Sequence, residues 1–370
     1  MSARNHRPSV VFSGGGTGGH VFPGLAVAEE LRSLGWRTAW IGRRQSLEER
    51  LVGAAGLEFR ALPARAFVDR GPAERVMAMG VLAASTLRAV VLLRRLQAAV
   101  VLATGGYACA PAALGARLCG SGLYLLEPNA QSGAANRLLS RFATEAGTAF
   151  ETAAKQLACE VRQVGVPVRR AFRQVSEPRF LGDRTRVLVL GGSQGSDALN
   201  RHLPGLFARA ARKTAIEVTH QAGPSQVGDT RARYRALVAP ALGVTVEGFI
   251  EDTAAAMAVH DLIVSRAGAV TVAEVTAAGR PAVYVPLPLA AGHQRGNARA
   301  MVDAGAAILV EQDDLGTEAA RERCGELIAD HDRLAAMAGS ARAHGGGDAA
   351  RAVAERVRAI ADASMAGRAG

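Results

Sequence analysis

Several residue groups in this 370-residue chain have types and spacing suited to chemistry on a phosphorylated ligand. The first is Ser13-Gly14-Gly15-Gly16-Thr17-Gly18-Gly19-His20, a glycine run that ends on an imidazole. Glycines allow close backbone approach to a ligand, and the free N–H groups of a following helix favour a phosphate or a developing oxyanion. At such a helix start the cationic form of His20 is disfavoured, which suits a neutral general base near pH 7. A histidine that only hydrogen-bonds the loop fits the position equally. A second run, Gly191-Gly192-Ser193-Gln194-Gly195-Ser196, has the same character. A third, Arg266-Ala267-Gly268-Ala269-Val270-Thr271-Val272-Ala273-Glu274, puts a carboxylate in the early turns of a helix after a small-residue loop. Glu274 there can accept both hydroxyls of a ribose while the loop N–H groups face an attached diphosphate. Read alone, one helix glutamate is more commonly an exposed carboxylate.

Two more groups close apolar runs: Thr104-Gly105-Gly106-Tyr107, and Glu127-Pro128-Asn129 after Leu123-Tyr124-Leu125-Leu126. The carboxyl ends of parallel strands are where open α/β sheets bind ligands, so convergence of several such ends on the first glycine loop is the stronger argument.

The elements that must position these residues alternate strand and helix. Strands are expected near Val10 to Ser13, Thr38 to Ile41, Leu57 to Leu62, Val100 to Thr104, Leu123 to Glu127, Ala146 to Phe150 and Val161 to Val164. After Gly165-Val166-Pro167-Val168-Arg169-Arg170 the rhythm repeats, near Arg186 to Leu190, Ile216 to His220, Val244 to Val246, Leu262 to Ser265, Ala282 to Val285 and Ala307 to Val310. This pattern predicts an α/β protein with two similar parallel-sheet domains facing one cleft, residues 1–166 and 167–347. Beyond Gly345-Gly346-Gly347, Asp348 can cap a last helix, residues 348–370, with Val353, Val357 and Ile360 on one face.

The chain is 49% hydrophobic and 21% charged, which fits a globular protein. Only three apolar residues follow Pro8, too few for a signal-peptide core, so a cytoplasmic location is expected. The uncharged run from Gln97 to Ala116 contains Thr104-Gly105-Gly106 and Pro111, reads as strand, turn and helix, and leads to no predicted transmembrane helix. Cys109, Cys119, Cys159 and Cys324 lack metal-ligand spacing and are expected to be buried thiols. The net charge of +11 rests on arginine, since Lys155 and Lys213 are the two lysines among 44 basic residues. Composition bias explains this, or an acidic partner such as a phosphate or an anionic membrane surface does. With 4% aromatic residues and no nucleic-acid motif, nucleic acid is not an expected partner.

The stretch from Val76 to Leu93 is helical in period and nearly apolar all round, with Arg65 and Arg70 before it and Arg94-Arg95 after. It predicts either a buried helix or a face that dips into an anionic membrane interface. Gly14, Gly16 and Gly19 also satisfy GxGxxG, but Ile41-Gly42-Arg43-Arg44 offers no ribose-binding acid, leaving an NADP-type site as the dinucleotide alternative.

Together these stretches resemble the MurG-type transferases of peptidoglycan synthesis, which add N-acetylglucosamine from its UDP derivative to a lipid-linked muramyl-pentapeptide. The matching residues are Gly15 to Gly24, Gly105-Gly106-Tyr107, Glu127 and Asn129, Val166 to Arg169, Gly191 to Gly195, Phe249-Ile250, Arg266 to Gly279, and Gln294 with Asn297. The resemblance implies a GT-B fold of two Rossmann-like domains, with the last helix packing back on the first, and an inverting transfer in which His20 and Glu127 are the catalytic candidates. It implies substrate contacts from Thr17, Gly18, Gly19, Tyr107, Asn129, Arg169, Ser193, Ile250, Arg266, Ala269, Val270, Thr271, Val272, Ala273, Glu274 and Gln294. It also implies an undecaprenyl diphosphate acceptor and a peripheral place on the cytoplasmic face of the cell membrane. No DxD-like or His-rich cation site stands in the sequence, so no protein-bound catalytic metal is expected, and a Mg2+ effect through the substrate diphosphate stays open. Leu126, Pro128 and Ala291-Gly292 depart from the family's usual residues. Another lipid or glycan acceptor, an NADP-dependent oxidoreductase and a non-catalytic sugar-nucleotide binder are the other readings.

Overall fold

The computed structural model describes residues 9–64, 72–178, 180, 184–288, 293–345 and 347–369. The residues Arg65, Arg70, Ala291 and Gly292 singled out above lie outside that set. The chain divides into two compact units, residues 1–169 with 348–370, and residues 170–347.

The first unit is built on a seven-stranded parallel sheet: β1 (Ser9–Ser13), β2 (Arg37–Gly42), β3 (Glu58–Ala61), β4 (Ala98–Ala103), β5 (Gly122–Glu127), β6 (Glu145–Thr148) and β7 (Glu160–Gln163), in the order β3-β2-β1-β4-β5-β6-β7. The central strands are continuous apolar runs because both faces are covered: Val10, Val11, Phe12, Val100, Val101 and Leu102 are all fully buried. Helices α1 (Gly18–Ser33), α2 (Leu47–Ala54), α3 (Pro72–Arg95), α4 (Ala110–Leu118) and α5 (Ala134–Leu139) make the crossovers. The last helix, Ala349–Ala369, belongs to this unit. Asp348 caps it by accepting the Arg351 N–H at 3.0 Å, and Val353, Val357 and Ile360 join the core beside β4 and β5. Arg356 on the same helix pairs with the buried Glu145 carboxylate of β6 at 2.5 Å.

The second unit has a six-stranded parallel sheet: β8 (Arg184–Leu190), β9 (Ala215–Gln221), β10 (Leu242–Glu247), β11 (Leu262–Ser265), β12 (Ala282–Tyr284) and β13 (Ala307–Leu309), ordered β10-β9-β8-β11-β12-β13. In each sheet the strand order reverses once, between β1 and β4 and between β8 and β11. A crevice opens at such a switch point because the loops leaving the two strands cross to opposite faces of the sheet. The four loops that leave these strands are Gly14 to Thr17, Thr104 to Gly106, Gly191 to Ser196 and Arg266 to Gly268.

One expectation is corrected, and one pair of alternatives is narrowed. Cys109 and Cys324 are buried, and burial pushes the Cys109 thiol up to about 12, but Cys119 and Cys159 are only half-buried because they end α4 and precede the edge strand β7. Helix α3 is not a core helix. Ala78, Ala89 and Leu93 pack inward, whereas Met77, Met79, Leu87 and Val91 stand outward, Leu87 at 66% exposure. Its segment Met77–Arg95 is long and apolar enough to cross a membrane by length and composition, although the sequence pointed to no such helix; it lies along α4 with 28% of its apolar window buried.

Candidate functional site

At the first switch point, β1 runs into the glycine loop and then α1. Thr17 stands at the cap position but its side chain makes no capping hydrogen bond, and the first-turn N–H groups of Gly18 and Gly19 have no intrahelical acceptor. His20 is the third residue of α1, and its Nδ1 lies 2.9 Å from the carbonyl oxygen of Thr104, at the end of β4. A carbonyl can only accept, so the neutral ring carries its proton on Nδ1 and keeps the Nε2 lone pair for a ligand. Burial lowers the His20 pKa from its ordinary value, opposed by the Glu127 charge and by the Thr104 hydrogen bond. Burial thus favours the neutral imidazole, the form expected from the sequence at the start of a helix.

The two loops touch through Gly106, at φ 74°. A Cβ there would meet the Gly15 carbonyl oxygen at 2.5 Å, so the close approach demands glycine. Tyr107 follows directly and accepts a hydrogen bond on its phenol oxygen from Arg43 Nη1 at 2.7 Å.

Glu127, at the end of β5, is fully engaged. Its Oε1 accepts from the Asn129 N–H (3.1 Å) and Nδ2 (3.0 Å), and its Oε2 from the Gly133 N–H (2.8 Å) and Asn136 Nδ2 (3.0 Å). A buried carboxylate with four donors organises the 129–136 loop. Its geometry suits positioning better than proton transfer, because a base needs an uncommitted lone pair. Arg169, the last residue before the second unit, lies over the Phe22 ring of α1 with Cζ 4.8 Å from the centroid.

At the second switch point, Ser193 is exposed at the tip of the loop after β8. Ser196 caps the helix Asp197–Ala210. Gly195, at φ 79°, packs against the Ala222 carbonyl where any Cβ would collide. The buried Gln221 amide joins two loops: its Nε2 donates to the Gly192 carbonyl at 2.7 Å and its Oε1 accepts the Ile250 N–H at 3.2 Å. The loop after β11 leads into the helix Ala269–Ala277, on which Ala269, Val270, Val272 and Glu274 are buried and Thr271 and Ala273 are partly exposed. Gln294 Oε1 accepts from the Ala267 N–H (3.2 Å) and the Leu287 N–H (3.0 Å), fixing this loop beside the one after β12. Arg266 is turned onto the chain itself, donating to the Val285 and Pro286 carbonyls and to Gln312 Oε1, so it builds the loop.

In the first unit, then, the structure gathers Thr17, Gly18, Gly19, His20 and Tyr107 at one switch point, with Glu127 and Asn129 at the end of the adjoining strand β5. In the second it gathers Ser193, Ile250, Arg266, Gln294 and the segment from Ala269 to Glu274. Sequence reasoning missed Glu48, Asn136 and Gln221. Glu48 is buried and accepts the N–H groups of both Gly16 and Arg43 at 3.3 Å, bracing the first glycine loop.

Comparison with known proteins decides the family. Residues 10–148 match the glycosyltransferase family 28 N-terminal domain, and residues 186–355 match its C-terminal domain. A relative in Halorhodospira halophila named UDP-N-acetylglucosamine--N-acetylmuramyl-(pentapeptide) pyrophosphoryl-undecaprenol N-acetylglucosamine transferase is 42% identical over 339 residues, 90% of this chain and 93% of its own. The chain belongs to the MurG-type transferases of glycosyltransferase family 28. A relative of the same name in Paracidovorax citrulli is 41% identical over 85% of this chain and 88% of its own. The crystal structure of Acinetobacter baumannii MurG superposes with a TM-score of 0.76 at 31% identity, covering 95% of this chain and 99% of that one. The fold is thus that of the family, two Rossmann-like parallel-sheet domains, and the chain is a hexosyltransferase.

Proposed function

We infer that this chain moves N-acetylglucosamine from UDP-N-acetylglucosamine to the 4-hydroxyl of an undecaprenyl-diphospho-N-acetylmuramyl-pentapeptide, with inversion at the anomeric carbon. The observation that carries the reading is the near-full-length match to relatives bearing the name of that transferase. The switch-point residues supply a chemistry that agrees with it.

The acceptor hydroxyl donates to His20 Nε2. Its oxygen forms a bond to the anomeric carbon as the bond from that carbon to the diphosphate oxygen breaks, the hydroxyl proton passes to Nε2, and UDP departs with the electron pair. The neutral state of His20 and its anchored Nδ1 suit this task. Glu127 positions Asn129 and the loop behind it, and its negative charge favours the imidazolium as it forms. Ser193, the N–H groups of its loop and the start of the helix Asp197–Ala210 are assigned to the diphosphate of the departing UDP. Ile250 lies on the uridine side, and Glu274 takes the ribose hydroxyls. The outward apolar face of α3, with Arg94 and Arg95 in its last turn, is assigned to the anionic cytoplasmic face of the membrane.

Thermal stabilisation tests the donor assignment. A ligand at about 100 times its Kd adds roughly 2.7 kcal/mol of stability. UDP and UDP-N-acetylglucosamine should raise the melting temperature and NADPH should not. A rise with NADPH alone would restore the dinucleotide reading of Gly14, Gly16 and Gly19.

A further inference from the structure

The Arg43-Arg44 pair at the end of β2 has no part in the function above. Arg44 is exposed, but Arg43 is half-buried and held in place at both ends. Its backbone N–H donates to Oε1 of the buried Glu48, whose Oε2 accepts the Gly16 N–H, so one carboxylate ties the end of β2 to the first glycine loop. Its guanidinium donates from Nη1 to the Tyr107 phenol at 2.7 Å, with Cζ 5.8 Å from the ring centroid. Tyr107 follows Gly106, which abuts Gly15 and the His20 ring. Arg43, Tyr107, the glycine loop and His20 therefore form one continuous rim.

Among the described residues no carboxylate pairs with the Arg43 guanidinium, since its side-chain partner is a neutral phenol and both Glu48 oxygens serve backbone N–H groups. A guanidinium stays charged at any physiological pH, and its planar fork matches phosphate oxygens. We propose that Arg43 binds the diphosphate of the lipid-linked acceptor, with Tyr107 holding the guanidinium plane in place. The inference rests on the transferase reading, and it selects the acceptor because the base that must receive the acceptor's proton stands on the same rim.

The test is steady-state transfer by the wild type, Arg43→Gln, Arg43→Lys and Tyr107→Phe, in detergent micelles free of anionic lipid, with each substrate varied in turn. Arg43→Gln should raise the KM for the acceptor lipid by about tenfold or more, the loss expected of charge-assisted hydrogen bonds, while the KM for UDP-N-acetylglucosamine holds. Arg43→Lys should fall between, as a point charge without the fork. Unchanged stabilisation by UDP shows that each variant is folded. An unchanged acceptor KM, or a rise confined to the donor, would overturn the proposal. A defect seen only with anionic vesicles would assign Arg43 to lipid headgroups and overturn it equally. If the wild type makes no product, the transferase reading itself fails, and direct binding of the acceptor lipid to wild type and Arg43→Gln still decides what Arg43 does.

Discussion

The His20 ring is oriented by the backbone of another strand: its Nδ1 meets the Thr104 carbonyl oxygen at 2.9 Å, across the switch point between β1 and β4. Because a backbone carbonyl is present in any sequence, substitution cannot remove this anchor. The tautomer, and with it the basic Nε2, is fixed by the fold.

Replacing His20 by alanine should reduce kcat by about 10² to 10⁴-fold, the usual range for a positioned general base, with little effect on UDP binding. In the wild type the acidic limb of the kcat/KM profile should fall below pH 6.5, because burial lowers the imidazole pKa and the neutral form persists to lower pH. A limb above 6.5, or near-normal turnover by a folded His20→Ala protein, would remove His20 from this role.

Glu127→Gln should move that same limb further down, since the Glu127 charge raises the His20 pKa and its loss disfavours the imidazolium. The variant should also lose roughly 1–3 kcal/mol of stability, because an amide nitrogen would face donors that now bond a carboxylate oxygen. Chemical denaturation and a pH–rate profile read the two effects separately.

Glu274→Ala should weaken UDP about 10- to 100-fold by calorimetry, the loss expected when a carboxylate leaves two hydroxyls, and should leave acceptor affinity in place. Unchanged UDP affinity would mean that the ribose is held elsewhere.

The α3 surface allows a paired comparison. Leu87→Asp and Val91→Asp, on the outward face, should lower recovery on anionic vesicles without changing the melting temperature, whereas Leu93→Asp, buried against α4, should unfold the first unit. Leu82 and Leu92 are partly buried and would mix the two effects. Vesicle recovery unaffected by the outward substitutions would exclude this face as the contact.

Acid stability should report on the buried core of the second unit. His220 is held between the Tyr234 hydroxyl at Nδ1 (2.9 Å) and Asn200 Oδ1 at Nε2 (3.0 Å), and burial pushes its pKa down to about 4. Between pH 6.5 and about 4 the unfolded chain binds a proton that the native chain does not, so stability is complete above 6.5 and falls as the pH drops, by on the order of 3 kcal/mol. Denaturation of the second unit at pH 7 and pH 4.5 should show the loss, and His220→Gln should flatten it.

The strands and the loops at the switch points were legible because doubly covered parallel strands read as unbroken apolar runs and the close backbone approaches require glycine. Val10-Val11-Phe12 before Gly14, and Val187 to Leu190 before Gly191, carry both signals. The bracing of those loops was not legible. Glu48 looks like an ordinary first-turn helix acid beside the Ser46 cap, and it reaches Gly16 only because β1 and β2 are neighbours. Gln221 likewise gains its role from two loops that meet around β9. The exposure of α3 was hidden for a different reason: an apolar helix has the same sequence whether protein or lipid covers it.

The most direct test of the central assignment is to incubate the purified chain with UDP-N-acetylglucosamine and undecaprenyl-diphospho-N-acetylmuramyl-pentapeptide and to follow the lipid product by mass and anomeric configuration. The account predicts a lipid heavier by one N-acetylhexosamine, joined with inverted configuration, together with one UDP per product and loss of the reaction in His20→Ala. Release of UDP without a glycosylated lipid, or a product of retained configuration, would contradict it.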